Sequence, residues 1–167
     1  DLWRELEAVS GVEVLAMAQG WLTQPGYPEV TARPLPGRRL KLSQKRFSAH
    51  GEASGPGLWK IPVVISYRLR GGGPVRQHRM VLSQAQQEIV LPGEGELLWA
   101  YPNGGETGYY RVGFPEGLPE ALKEDVAALG PAERLGLMNH LWAQARAGAA
   151  GVDAFMDLLW ALKDDPT

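Results

Sequence analysis

The chain has 167 residues, of which 44% are hydrophobic and 22% charged, and these values are ordinary for a folded globular protein. Seventeen basic and nineteen acidic side chains leave a net charge of −2, so no broad positive field is available to hold a nucleic-acid backbone. The sequence contains no cysteine, which excludes a disulfide framework and cysteine-based zinc sites. No apolar run approaches the ~20 residues that a membrane-spanning helix needs.

The first 24 residues predict two short helices. Between them, residues 10–13 (SGVE) match a capping box, in which the Ser10 hydroxyl and the Glu13 carboxylate each bond the other residue's amide. The second helix carries Trp21 on its apolar side. The segment 25–28 (PGYP) ends this helix, because proline cannot continue the hydrogen-bond ladder.

Residues 29–114 change from helical to two-residue periodicity. The clearest strand covers residues 59–69, where every second residue is large and apolar. Other strands are predicted at 29–33, 40–47, 77–82, 87–91, 97–101 and 110–114, with a bulge near Ser43-Gln44. Turn-rich clusters separate them at 34–37, 51–57, 71–74 and 103–105. About seven short strands with regular turns predict an antiparallel β-sandwich of the fibronectin or immunoglobulin type.

Residues 115–167 return to helical spacing. One helix begins at Pro119 and a second at Pro131, with Gly148 as the C-terminal cap of the second. The apolar stripe of the second helix is predicted to be Leu135, Met138, Leu141, Trp142 and Ala145. A third helix covers residues 153–163. The fold class is therefore mixed and mainly β, with short α-helices at both ends of the sandwich, and the missing initiator methionine predicts a longer parent chain.

Nothing in the sequence suggests a catalytic or metal site within the chain. The three histidines belong to no H-E-x-x-H motif and no i, i+4 pair, so each is expected to be structural or solvated: His50, His78 and His140. The loop carboxylates are expected to be solvated: Glu94, Glu96 and Glu106. Core packing is favoured for four tryptophans: Trp59, Trp99, Trp142 and Trp160. A carbohydrate- or peptide-binding sandwich that displays aromatic residues remains an alternative.

Five strings, taken in order, resemble the aminopeptidase N-like zinc metallopeptidases. Residues 21–28 (WLTQPGYP) are similar to the family's W-x-x-Q-x-G-(Y/F)-P segment, 42–47 (LSQKRF) to L-x-Q-x-R-F, and 58–63 (LWKIPV) to W-x-(I/V)-P-(L/V). Residues 103–112 (NGGETGYYRV) resemble N-x-x-x-x-G-(Y/F)-Y-R-V. Residues 131–137 (PAERLGL) with 141–148 (LWAQARAG) resemble the opening of the family's C-terminal helical domain.

The resemblance implies a place within a larger enzyme. Residues 1–24 would end the catalytic domain, 25–114 would form the sandwich, and 115–167 would begin the helical domain. It also implies zinc and peptide substrates in the parent, no cofactor in this chain, intramolecular contacts with the two neighbouring domains, no nucleic acid, no membrane span and a cytoplasmic location. A catalytically dead scaffold or peptide-binding relative is the alternative. The residues expected to serve interdomain or structural roles are Trp21, Gln24, Gly26, Tyr27, Pro28, Trp59, Asn103, Tyr110, Arg111, Glu133, Arg134 and Arg146.

Overall fold

The computed structural model describes residues 2–49 and 57–165. Two helices come first, α1 (Leu2–Ser10) and α2 (Val14–Thr23). Seven strands follow: β1 (Pro28–Pro34), β2 (Arg39–Arg46), β3 (Ile61–Leu69), β4 (Arg76–Leu82), β5 (Gln86–Val90), β6 (Leu97–Tyr101) and β7 (Arg111–Gly113). Three helices end the described part: α3 (Glu120–Glu124), α4 (Pro131–Arg146) and α5 (Val152–Ala161). The predicted loop at 51–57 and His50 lie outside the described residues, apart from Gly57.

The strands form two sheets, which confirms the predicted sandwich. One sheet has the order β5-β2-β1-β7 and the other has the order β4-β3-β6. All pairs are antiparallel except β1 and β7, which run parallel over the three residues from Glu29 to Thr31. The glycines at 71–73 all have positive φ and turn the chain from β3 into β4. This turn is the hairpin loop that the sequence predicts.

The core lies between the two sheets. Alternate residues of β3 are buried, as the two-residue periodicity predicts: Ile61, Val63, Ile65, Tyr67 and Leu69. Trp59 and Trp99 are 1% and 0% exposed, so their predicted packing role is confirmed. Burying a large apolar side chain stabilises the fold by about 1.5–3 kcal/mol, and most of the sandwich positions predicted to point inward supply such side chains.

The bulge predicted near Ser43-Gln44 is wrong. The pairing of β1 with β2 runs without a shift from Pro28 opposite Arg46 to Pro34 opposite Leu40. The alternation that begins at Leu40 and Leu42 continues with Gln44, a polar side chain in a buried position. The observed register shift lies instead between Arg68 and Leu69, where β3 meets β6.

Two predictions about the helical ends are also wrong. Ser10 ends α1 rather than capping α2, and its hydroxyl donates to the Leu6 carbonyl while Glu13 pairs with Lys60. The helix predicted from Pro119 stops at Glu124 and gives way to a 3₁₀ turn, Val126–Ala128. It breaks at Asp125, whose carboxylate accepts hydrogen bonds from Arg68 Nη1 and Trp99 Nε1.

Most of the residues that the sequence assigns to the apolar stripe of α4 are not on the buried side of this helix. Leu135 and Trp142 are 57% and 47% exposed, and Trp160 of α5 is 73% exposed, so the core role predicted for the two tryptophans is wrong. The buried side of α4 carries Glu133, Gly136, Leu137, His140, Leu141 and Gln144. This side is buried because the sandwich supplies polar partners for it. Pro131 does begin α4, and Gly148 has positive φ beyond its end, as predicted.

Candidate functional site: two joints between the sandwich and its helices

The described residues offer no group of three histidine, aspartate or glutamate side chains that could hold a metal ion. His78 is half-buried on β4 and His140 is 3% exposed on α4, so the two described histidines lie on different elements. Glu94 and Glu96 are exposed, as predicted. Many of the polar side-chain contacts in the described part of the chain lie where helices meet the sandwich.

The first joint is a cluster of rings between α2 and one end of the sandwich. We call it the aromatic joint and define it as Trp21, Tyr27, Phe47, Trp59 and Tyr109. Tyr27 and Phe47 stack with centroids 5.4 Å apart, and Trp21 lies 6.2 Å from both Trp59 and Tyr109. Such tilted and stacked pairs add about 0.5–1.5 kcal/mol each beyond the area they bury. Only Trp59 is fully buried, and Tyr109 is 75% exposed.

Among the described residues, the side chains of Trp21 and Gln24 form hydrogen bonds across the aromatic joint. The Trp21 indole donates to the Lys60 carbonyl over 3.3 Å, and the Gln24 amide donates to the Leu58 carbonyl over 2.9 Å. Glu13 meets Lys60 at the surface, and this contact lowers the pKa of the Glu13 carboxyl, mainly through the hydrogen bond. Gly26 has a φ of +83°, a conformation that allows the chain to turn from α2 into β1 at Pro28.

Next to Trp59 of the aromatic joint, Gln44 of β2 bonds the segments that lead into β3 and out of β4. Its Nε2 atom donates to the Trp59 carbonyl over 2.9 Å and to the Gln84 carbonyl over 3.1 Å, and its Oε1 atom accepts from the Trp59 amide over 2.9 Å. Gln44 is 7% exposed, so these bonds satisfy an amide that would otherwise be costly to bury. The sequence interpretation missed this role.

The second joint connects the sandwich to α4 through buried polar groups, and we call it the polar joint. It consists of Ser66, the loop 103–108, Glu133, His140 and Gln144. Glu133 Oε1 accepts from the Ser66 hydroxyl over 2.6 Å and from the Gly105 amide over 3.0 Å. Its Oε2 atom accepts from the Gly130 amide over 2.7 Å, ahead of the first turn of α4. A single carboxylate thus joins a strand, a loop and a helix start.

Gln144 fastens the other end of α4 to the edge strand β7. Its Nε2 atom donates to the Val112 carbonyl over 2.6 Å, and its Oε1 atom accepts from the Phe114 amide over 3.2 Å. The side-chain amide takes the place of a neighbouring strand, so this part of the edge is not left unpaired. Periodicity could not reveal this role, because glutamine is usually a surface residue on a helix.

Glu106 enters the polar joint, so its predicted solvation is wrong. Its carboxylate accepts hydrogen bonds from the Tyr101 hydroxyl and from Asn103 Nδ2, and His140 Nε2 lies 3.3 Å from its Oε2 atom. Burial, with a smaller contribution from Glu106, raises the pKa of Tyr101 well above its usual range. A Cβ atom at Gly136 would lie 1.9 Å from Glu106 Cδ, so only glycine allows the carboxylate this close to α4.

The loop between β6 and β7 is held by Asn103 and Tyr110, two residues that the sequence singles out. Asn103 is 1% exposed, and its Oδ1 atom accepts from the Gly108 amide over 2.9 Å. The Tyr110 hydroxyl donates to the Pro102 carbonyl, and burial raises the pKa of that hydroxyl. The two side chains therefore fix both ends of the loop that presents Glu106 to α4.

The three arginines singled out by the sequence have different environments. Arg134 is half-buried, with its guanidinium bonded to the Leu129 carbonyl and paired with Asp165. Arg111 is half-buried in β7 opposite Glu29, and Arg146 is exposed in the last turn of α4. Among the described contacts of these three arginines, those of Arg134 reach outside its own helix, and its partners lie in the helical end of the chain and not in the sandwich.

Comparison with known proteins gives relatives over nearly the whole chain, although no family model matches it. It is 31% identical over 175 residues to aminopeptidase M1-A of Oryza sativa subsp. japonica, which covers 99% of the chain. It is 31% identical over 165 residues to the puromycin-sensitive aminopeptidase of Caenorhabditis elegans, covering 95% of the chain, and 29% identical over 151 residues to the leucyl aminopeptidase of Saccharolobus solfataricus, covering 90%.

The match takes in only a small part of each relative. The chain spans 19%, 17% and 18% of the lengths of these three proteins. The similarity includes both joints and the sandwich between them, because it extends over at least nine-tenths of the chain. The chain therefore belongs to the aminopeptidase N-like family of M1 aminopeptidases, as a segment similar to about one fifth of such a protein.

Proposed function

We propose that this chain is the sandwich segment of a zinc-dependent aminopeptidase that removes N-terminal residues from peptides, and that it holds a helical domain in place over the catalytic site. In this proposal residues 1–24 end the catalytic domain, 25–114 form the sandwich and 115–167 begin the helical domain. The observation that carries the proposal is the 31% identity over 99% of the chain to a protein named as an aminopeptidase. The cytoplasmic location remains a prediction.

Zinc has no suitable set of ligands among residues 2–49 and 57–165. His140 and Glu106 form a pair, but the Glu106 carboxylate already accepts from Tyr101 and Asn103, and no third ligand group completes a site there. Structural and catalytic zinc sites need three or four protein ligands. The proposal therefore assigns zinc and the peptide-cleaving groups to other parts of the parent protein.

The role that we assign to this segment is positional. In enzymes that close around a substrate, small displacements of the enclosing parts lower the rate because the reacting groups lose their alignment. Glu133 and Gln144, near the two ends of α4, attach this helix to the sandwich. These contacts support a fixed position for the helical domain that contains α4. Trp21 and Gln24 would attach the sandwich to the catalytic side in the same way.

The test uses the complete gene product that contains this chain. We expect it to hydrolyse aminoacyl anilides, to lose that activity on treatment with a chelator and to regain it with zinc. Gly136→Ala, which forces Glu106 away from α4, is expected to lower kcat/KM by about tenfold with unchanged zinc content. The matched control Gly20→Ala, whose added Cβ meets only Gln24 Nε2 at 3.7 Å, should retain the original kcat/KM.

Two results would contradict the proposal in different ways. A gene product that binds no zinc and turns over no anilide, yet folds normally, would favour the scaffold or peptide-binding alternative. If the gene product is a zinc-dependent aminopeptidase whose kcat/KM changes with neither Gly136→Ala nor Gly20→Ala, the proposed activity stands. The proposed positional role of this segment is then wrong.

A further inference from the structure

The loop of the polar joint contains an asparagine followed by glycine. The sequence has two asparagines, Asn103 before Gly104 and Asn139 before His140. A glycine on the C-terminal side gives the least steric hindrance to the cyclisation that leads to deamidation, because it has no Cβ atom. We propose that Asn103-Gly104 is a deamidation site that the folded polar joint keeps unreactive and that becomes reactive when this joint opens.

The chemistry requires only the chain and water. The backbone nitrogen of Gly104 attacks Asn103 Cγ, a new Cγ–N bond forms, and the Cγ–Nδ2 bond breaks. Nδ2 leaves as ammonia, with the proton that Gly104 N gives up. Water then opens the five-membered imide at one of its two carbonyl carbons and leaves aspartate or isoaspartate at position 103. No oxidant or reductant takes part.

The folded loop opposes the first step. Asn103 is 1% exposed, and its side chain is held by three hydrogen bonds: Oδ1 from the Gly108 amide, and Nδ2 to Glu106 Oε2 and to the Gly108 carbonyl. Gly104 is buried as well, and the next amide, that of Gly105, is bonded to Glu133. Cyclisation would have to break the side-chain bonds and rotate a buried peptide, so it needs local opening of the loop.

The product cannot restore the joint. Deamidation replaces the donor Nδ2 by an oxygen that would lie 3.3 Å from both Glu106 Oε2 and the Gly108 carbonyl oxygen, two groups that only accept hydrogen bonds. A second carboxylate beside a partly buried one is unfavourable, and the former donor bonds are lost. Isoaspartate also lengthens the backbone between β6 and β7. Each opening event that leads to reaction therefore disables the joint permanently.

Asn139 provides an internal control. It is exposed on α4 and precedes His140, whose side chain hinders cyclisation more than glycine does, so it reports the behaviour of an asparagine without the Asn-Gly sequence. The chain is held near pH 8 in native buffer and in denaturant, and peptide mapping by mass spectrometry follows the gain of about 1 Da at each asparagine. We expect Asn103 to react at least about tenfold faster in denaturant than in native buffer, because the native joint must open first. Equal rates at Asn103 in the two solutions would overturn the proposal.

A pair of matched variants tests the consequence. Asn103→Asp is expected to lower the Tm by at least about 5 °C or to prevent folding, and either result supports the proposal when Asn139→Asp melts like the original chain. An Asn103→Asp chain with the same Tm as Asn139→Asp would overturn it. Deamidation requires only this chain and water, so neither measurement depends on whether the parent protein cleaves peptides.

Discussion

The aromatic joint attaches the helix that precedes the sandwich in the chain, the polar joint attaches a helix that follows it, and the two joints use different chemistry. At the aromatic joint, partly exposed rings contact one another and the buried Trp59, and the Trp21 and Gln24 side chains donate to backbone carbonyls of the sandwich. At the polar joint, Glu133 and Gln144 are 6% and 2% exposed, and their side chains bond groups on the sandwich. Ring contacts tolerate small shifts, whereas buried hydrogen bonds require one geometry.

This difference predicts that the polar joint is the more sensitive of the two to substitution. The largest effect is expected for Glu133→Ala, because it leaves the Ser66 hydroxyl and the Gly105 and Gly130 amides without their acceptor. We expect the free energy of unfolding to fall by about 3–5 kcal/mol, measured by urea denaturation. Glu124→Ala, an exposed glutamate in the last turn of α3, is the control and should change it by less than about 0.5 kcal/mol.

The same substitution in two helices provides the next comparison. Gly136→Ala is expected to destabilise the chain by roughly 1–3 kcal/mol, because the added Cβ would lie 2.3 Å or less from the Glu106 carboxylate atoms. Gly20→Ala in α2 has room beside Gln24 and is expected to stabilise the chain by roughly 0.4–1 kcal/mol. Thermal melting of the two variants shows whether each substitution lowers or raises the stability of the chain. A stabilising Gly136→Ala would show that Glu106 moves away without cost.

The two joints also differ in how far the sequence could predict them. The strands were predictable because alternate apolar residues such as Val63 and Ile65 must share the buried face of a sheet. Trp21 and Trp59 could be anticipated at the aromatic joint because large rings are usually packed. The two motifs that single out Asn103 and Glu133 give no partners for them, and the structure supplies their hydrogen bonds.

The rest of the polar joint was not predictable from local pattern. Ser66 and Glu133 are 67 positions apart, and Gln144 meets the Val112 carbonyl 32 positions away. A helical periodicity argument ranks residues by hydrophobicity, so it selected the side of α4 with Leu135 and Trp142. The observed buried side depends on partners that local periodicity does not reveal. The bulge predicted near Gln44 is wrong for the same reason.

At the aromatic joint, Trp21→Phe should have a small effect. The variant retains a ring near Trp59 and Tyr109 but loses the indole bond to the Lys60 carbonyl, which is 3.3 Å long. The free energy of unfolding is expected to fall by less than about 1 kcal/mol in urea denaturation. A loss as large as that of Glu133→Ala would show that the two joints are equally demanding, and the contrast between them would have to be abandoned.

The smallest effect is expected at the surface of the aromatic joint, where Lys60 lowers the pKa of Glu13. A carboxyl whose pKa is lower in the folded chain stabilises that chain above its unfolded pKa, and the contribution disappears as the pH falls through the folded pKa. The pair is exposed at Glu13, so salt should weaken it. Carbon NMR titration of Glu13 should therefore give a midpoint below that of the Lys60→Met variant at low salt, and the two midpoints should converge in 1 M salt. Identical midpoints at low salt would mean that the ion pair does not form in solution, which would leave the ring contacts and the two carbonyl bonds to hold α2 against the sandwich.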